Sequence, residues 1–136
     1  DGKVVKVLPT FLSGLTGSVE LDTKIAVDGS GNIFALGGAF NPMVFKFNRD
    51  GKFENKFGSR GNEPGQFRSP NAIAIDNQNR VYVADSAGIL VFAPDGRYLD
   101  TFRVESGSPS GMVFNDQNEL FIVARTIVCK YVLNRR

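Results

Sequence analysis

The sequence predicts an all-β chain: a β-propeller built of four-stranded antiparallel blades, with three blades present. Three observations carry that prediction. A unit of about 40–50 residues recurs along the 136-residue chain, the period of a propeller blade. Each unit holds short apolar runs separated by Gly, Asn and Asp turn signals. No window sustains a 3.6-residue apolar period long enough for a helix.

The units align as "KIAVDGSGNIFALGGAFNPMVFKFNRDGKFENKFG" from Lys24, "NAIAIDNQNRVYVADSAGILVFAPDGRYLDTF" from Asn71 and "SGMVFNDQNELFIVARTIVCKYVLNRR" from Ser110. Asp28, Asp76 and Asn115 hold equivalent places, 48 and 39 residues apart, with the difference lying in loops. The chain opens on "DGKVVKVL", a phrase that returns as "DGKFENKF" from Asp50 and "DGRYLDTF" from Asp95, each time as the tail of a unit. Residues 1–8 therefore read as an outer strand that closes a last blade. Residues 22–57 and 70–103 read as whole blades, and 109–134 as three strands of the last one.

Within the second unit, "AIAID" is apolar on both faces, as a buried strand should be. "DNQN" is a polar turn, "RVYVAD" an alternating strand and "SAG" a tight break. "ILVFA" is the third strand. "PDG" turns the chain, Pro fixing φ and Gly supplying φ > 0, into the fourth strand "RYLDTF". The turns "DGSGN", "DNQNR" and "NDQNE" lack the ligand spacing and distal Glu of a calcium loop and read as Asx turns. "GSGN" and "GGAFN" introduce no helix, so neither reads as a phosphate loop.

Composition narrows the chemistry. Fifteen Gly, six Pro and twelve Phe suit a turn-rich β protein. Sixteen Lys and Arg against fourteen acids leave a net charge of +2, which does not announce a nucleic-acid surface. There is no histidine, which removes His-based acid–base catalysis, Ser–His and Cys–His nucleophiles and His-ligated metal. The single Cys129, in "TIVCKYV", forms no internal disulfide and reads as a small core residue. No run approaches the ~18 apolar residues of a membrane span. The chain does not begin with Met, and a removed leader, a tag or preceding domains all remain open; a leader would imply export.

The stretch "GNEPGQFRSPNAIAIDNQNRVYVADSAGILVFAPDGRYLDTF" closely resembles the NHL repeat. The carrying residues are Gly65, Gln66, Phe67, Pro70, Asp76, Val81 to Asp85, Val91, Phe92, Asp95 and Gly96. The first unit matches at its start and end but has "FALGGAFNP" where the Asp of "VAD" is expected. The third has Arg125 at that place and no Asp-Gly after its third strand. Together the likeness spans about residues 22–134. It implies a propeller of six blades, so three are half a ring, with the innermost strands lining a channel. It also implies that the inter-blade and second-to-third-strand loops share a binding face.

An open half-ring leaves two apolar sheet faces in need of partners. Either two copies join, each N-terminal strand completing the other's last blade, or the chain is half of a longer or split propeller. An isolated three-blade piece is disfavoured, because open edges invite aggregation.

The longest polar loop, Phe57 to Asn71, offers Arg60, Asn62, Glu63, Arg68 and Asn71 as tentative binding residues on that face. Gly65, Gln66, Phe67 and Pro70 read as scaffold, with Phe67 plugging between blades. Arg60 and Arg68 read either as solvated charges or as contacts. Asp85 and Arg125, at equivalent strand ends, join the binding set; they read as a structural pair, whereas Arg125 alone would be an anion contact. The loop Thr10 to Thr23, with Phe11, Leu12 and Leu15, reads as packing or as a contact patch.

Expected, then, is a non-catalytic module that binds a protein or small ligand, with no metal, cofactor or membrane span. Nucleic acid is not expected, because Glu20, Glu63 and Glu105 offset the arginines. The alternatives are a single-stranded RNA binder and a metal-dependent lactonase-like or lyase-like propeller enzyme.

Overall fold

The architecture comes from a computed structural model that describes residues 23–37, 41–104, 109–124 and 127–132. All regular structure among them is strand. The first sheet has strands β1 (Lys24–Val27), β2 (Ile33–Gly37), β3 (Met43–Phe47) and β4 (Phe53–Phe57) in sequential antiparallel order. The second repeats the arrangement with β5 (Ala72–Ile75), β6 (Val81–Asp85), β7 (Gly88–Phe92) and β8 (Tyr98–Phe102). The third sheet holds, among the described residues, β9 (Pro109–Phe114), β10 (Leu120–Ala124) and β11 (Ile127–Tyr131). Lys3 to Leu8, the expected closing strand, and most of the Thr10 to Thr23 loop lie outside the described residues.

The inner strands β1, β5 and β9 lie side by side, which stacks the sheets face to face. Core residues fill the two junctions. Phe34, Leu36, Val44 and Phe57 of the first blade meet Phe67, Val81, Val83, Leu90 and Phe92. Tyr82, Ile89 and Val91 of the second meet Leu120 and Ile122 of the third, with Met112, Phe114 and Tyr131 at the margin. The middle blade is thus apolar on both faces, and every residue of β6 and β7 is buried. β10 alternates instead, with Leu120, Ile122 and Ala124 buried and Val123 exposed, since only one of its faces is covered. The far face of the first blade buries Ala35, Phe45 and Phe47 and exposes Ile25 and Val27. Cys129 is half-buried on the peripheral strand β11.

The Asx reading of the first turns holds in all three blades. Asp28 Oδ1 accepts from the amides of Ser30 and Asn32, Asp76 Oδ1 from Gln78 and Arg80, and Asn115 Oδ1 from Gln117 and Glu119. The fifth residue of each turn reaches back to the first. Asn32 donates to Asp28 (3.0 Å) and Arg80 to Asp76 (2.7 Å), while in the third blade the polarity reverses and Asn115 donates to Glu119 (2.8 Å). That donation, and then Lys130, hold the Glu119 carboxyl below its ordinary value. Gly31, Asn79 and Asn118 take the left-handed position at φ 86°, 64° and 62°, which Gly and Asn tolerate best.

Candidate functional site

The connection from Phe57 to Asn71 is rigid because it bonds to itself. The Phe67 amide donates to the carbonyl of Ser59 (2.7 Å), and its own carbonyl accepts from Gly61 (3.0 Å). Gln66 spans the loop, donating through Nε2 to Ser59 Oγ (3.0 Å) and accepting the Glu63 amide on Oε1 (3.1 Å). Phe67 then drops into the junction between the first and second blades, fully buried, with its ring edge-on to Phe92 at 5.9 Å. Gly58 makes room for it: φ is 85°, and a Cβ there would collide with the Phe67 ring. The scaffold reading of Gln66 and Phe67 is what the geometry displays.

Asp85 ties the far end of the loop down. Its Oδ1 accepts the amides of Arg68 (2.9 Å) and Ser69 (2.8 Å), and its Oδ2 accepts the amide of Ala87 in the β6–β7 turn (3.1 Å). The carboxylate is buried and its oxygens face backbone donors, so its visible work is holding two loops together. Asn71 uses its backbone amide to bond the carbonyl of Ala84, while its side chain sits in solvent. The Arg60 amide donates to Asn41 Oδ1 (2.9 Å).

Of the expected site residues, Asn62, Glu63 and Arg68 are brought together. They are exposed and share a shallow depression of about 210 Å³ with Ala87, Tyr98 and Thr101. Asp85 instead borders a neighbouring hollow of about 140 Å³ with Ser86, Arg103 and Pro109. Arg60 and Asn71 line neither of these two depressions. The strand registers correct the expected equivalence of Asp85 and Arg125: counted from the first turn of each blade, Gly37, Asp85 and Ala124 hold the same place at the end of the second strand, and Arg125 is one residue beyond it, outside the described residues, and with it the expected pair. Tyr98 and Arg103 were not anticipated. Tyr98 reads only as part of the fourth strand, and Arg103 opens a connection too short to carry a motif.

The loop face presents a carboxylate, a guanidinium, an amide and two hydroxyl-bearing side chains around a shallow floor. That suits hydrogen bonding and charge pairing to a ligand. Among the described residues no three His, Cys, Asp or Glu side chains converge to hold a metal ion. No helix among them is long and apolar enough to cross a membrane. If Asn62, Glu63 and Arg68 carry no scaffold role, changing all three to Ala together should shift stability by less than about 1 kcal/mol in urea melts.

Comparison with known proteins agrees with this architecture. The family DUF5128, described as a 6-bladed beta-propeller, matches residues 21–127. No curated protein matches the chain in sequence. Among solved structures, a gluconolactonase from Xanthomonas campestris is similar at 20% identity and TM-score 0.56, over 74% of this chain and 34% of that one. A protein of unknown function from Bacteroides caccae is similar at 16% identity and TM-score 0.59, over 85% and 44%. The WD40 repeats of RRP9 are similar at 20% identity and TM-score 0.60, over 73% and 31%. At these identities the likeness is one of fold. The chain spans less than half the length of each of the three.

Proposed function

Because the chain belongs to the 6-bladed beta-propeller family, we propose that it is a non-catalytic, NHL-type propeller module. It binds a protein or small ligand on its loop face, and further blades complete its ring. One observation carries the reading: the Phe57 to Asn71 loop is fixed by its own backbone and by Asp85, yet leaves the Asn62, Glu63 and Arg68 side chains exposed around one depression. A rigid frame presenting polar side chains lowers the entropy lost on binding.

The gluconolactonase among the similar structures keeps a metal-dependent enzyme as the second reading. Purified chain supplemented with Ca²⁺, Mg²⁺ or Zn²⁺ separates the two. The binding reading expects no hydrolysis of gluconolactone and less than one bound metal ion per chain by elemental analysis. Turnover together with one metal per chain contradicts it. Filter binding with random single-stranded RNA at low salt is expected to show no retention, and salt-sensitive retention favours the RNA alternative. The positive arm is a bait experiment, in which proteins retained by the wild-type chain are lost with the Asn62, Glu63 and Arg68 triple-alanine variant.

A further inference from the structure

Two arginines on the loop face are without a charged partner among the described residues. Arg68 lines the larger depression and Arg103 the smaller, and Ala87 lines both. Both arginines are exposed, and neither guanidinium makes a hydrogen bond or ion pair among the described residues. Arg80 and Arg97, by contrast, are each paired with an acid of their own turn, Asp76 and Asp95.

The acid between the two does not hold either guanidinium. Asp85 is 2% exposed, and its oxygens accept the amides of Arg68, Ser69 and Ala87. The carboxylate thus fixes the backbone of Arg68 and leaves its side chain unbound. Arg103 is placed from the other side. Gly88 has φ 133°, and a Cβ there would lie 2.7 Å from the Phe102 carbonyl oxygen. The β6–β7 turn therefore packs tightly against the residue before Arg103. Ser86 of that turn is exposed and adds a hydroxyl to the smaller hollow.

Size decides the kind of ligand. Hollows of about 140 and 210 Å³ fall below the roughly 300–1,000 Å³ of pockets that enclose a small molecule, yet each has room for the end of a side chain. Side chains two residues apart on an extended peptide lie about 7 Å from each other on one side of it, a step that clears a wall one residue thick. Nucleic acid fits less well. Glu63 shares the larger depression without pairing to Arg68, and its carboxylate repels phosphate. Tyr98, the one aromatic lining residue, packs against Phe92 and Gly65 instead of standing free to stack on a base.

We propose that the loop face binds an extended acidic peptide segment, with acidic side chains at alternate positions meeting Arg68 and Arg103 across Ala87. The proposal rests on the reading of the loop face as a binding surface and names the chemistry of its partner.

The test is fluorescence anisotropy of a labelled Gly and Ser nonapeptide with two glutamates at alternate positions, titrated with the chain. Saturable binding is expected at or below about 1 mM chain. Arg68→Gln and Arg103→Gln should each raise the Kd about fivefold, and together about 25-fold, because they stand in separate hollows. Circular dichroism melts check that the variants fold. A peptide with adjacent glutamates should bind about threefold more weakly, since only one then faces the chain. A peptide with lysines in their place should not bind. No saturation, or an affinity unchanged in the double variant, overturns the proposal. Displacement of the peptide by equimolar inorganic phosphate or random single-stranded RNA overturns it in favour of a general anion site. If the peptide fails while the bait experiment still loses a protein with the triple-alanine variant, the acidic class falls and the loop-face reading stands.

Discussion

Phe67→Ala should lower the unfolding free energy by about 3–5 kcal/mol, the usual loss for an aromatic residue truncated in a packed core. Phe67 is wholly buried, although it sits in a loop. It lies edge-on to Phe92, which also stacks against Phe57 at 4.9 Å and Tyr98 at 5.9 Å. Removing the ring leaves a cavity at the junction of the first two blades, walled by β-sheet that relaxes little. Small domains are stable by only about 5–15 kcal/mol, so the loss is a large share of the total. Urea titration followed by circular dichroism measures it. A loss below about 1 kcal/mol would mean that the loop does not dock between the blades.

Asp85→Ala should cost about 2–4 kcal/mol, because three backbone amides lose a charged acceptor at once and a buried void replaces it. The amides belong to Arg68, Ser69 and Ala87, so the damage spreads to both loops of the candidate face. Asp85→Asn is expected to fall between Ala and wild type. Its single carbonyl can still accept from Arg68 and Ser69, but its NH₂ group faces the Ala87 amide. Hydrogen exchange at those three amides should quicken in the same order. If Asp85→Ala leaves stability and exchange unchanged, Asp85 does not hold the loops.

The fold was legible because blades announce themselves locally. The alternation in "RVYVAD", the Asp-Gly turns and the Asx turns at Asp28, Asp76 and Asn115 are features of a few consecutive residues, and the repeat states them three times. The burial of β6 on both faces was not legible: "RVYVAD" reads as alternating, yet Val81 to Asp85 are all buried because blades pack against both sides of the middle sheet. The candidate site was less legible. Asp85 drew attention as a polar residue at a strand end, but its partners are backbone amides 16 and 17 residues earlier and only two residues later. Asn79 and Asn118 were readable as turn formers, whereas their acceptance of amides 50 and 41 residues away exists only once the blades stack. Tyr98 reads only as a residue of the fourth strand; it packs against Phe92 and also stands at the rim of the depression beside Glu63 and Arg68, which its strand position does not reveal. Periodicity reports which face of an element is covered; it does not report which loop folds over that face.

Among the described residues the third blade leaves one apolar sheet face uncovered, with Val113, Val123 and Val128 exposed, as the reading in which further blades complete the ring expects. The candidate site lies on the loop face, so the most direct measurement compares the proteins retained by the immobilised wild-type chain with those retained by the Asn62, Glu63 and Arg68 triple-alanine variant. A protein retained by the wild type and lost with the variant is expected. Equal retention by both contradicts binding through these three side chains.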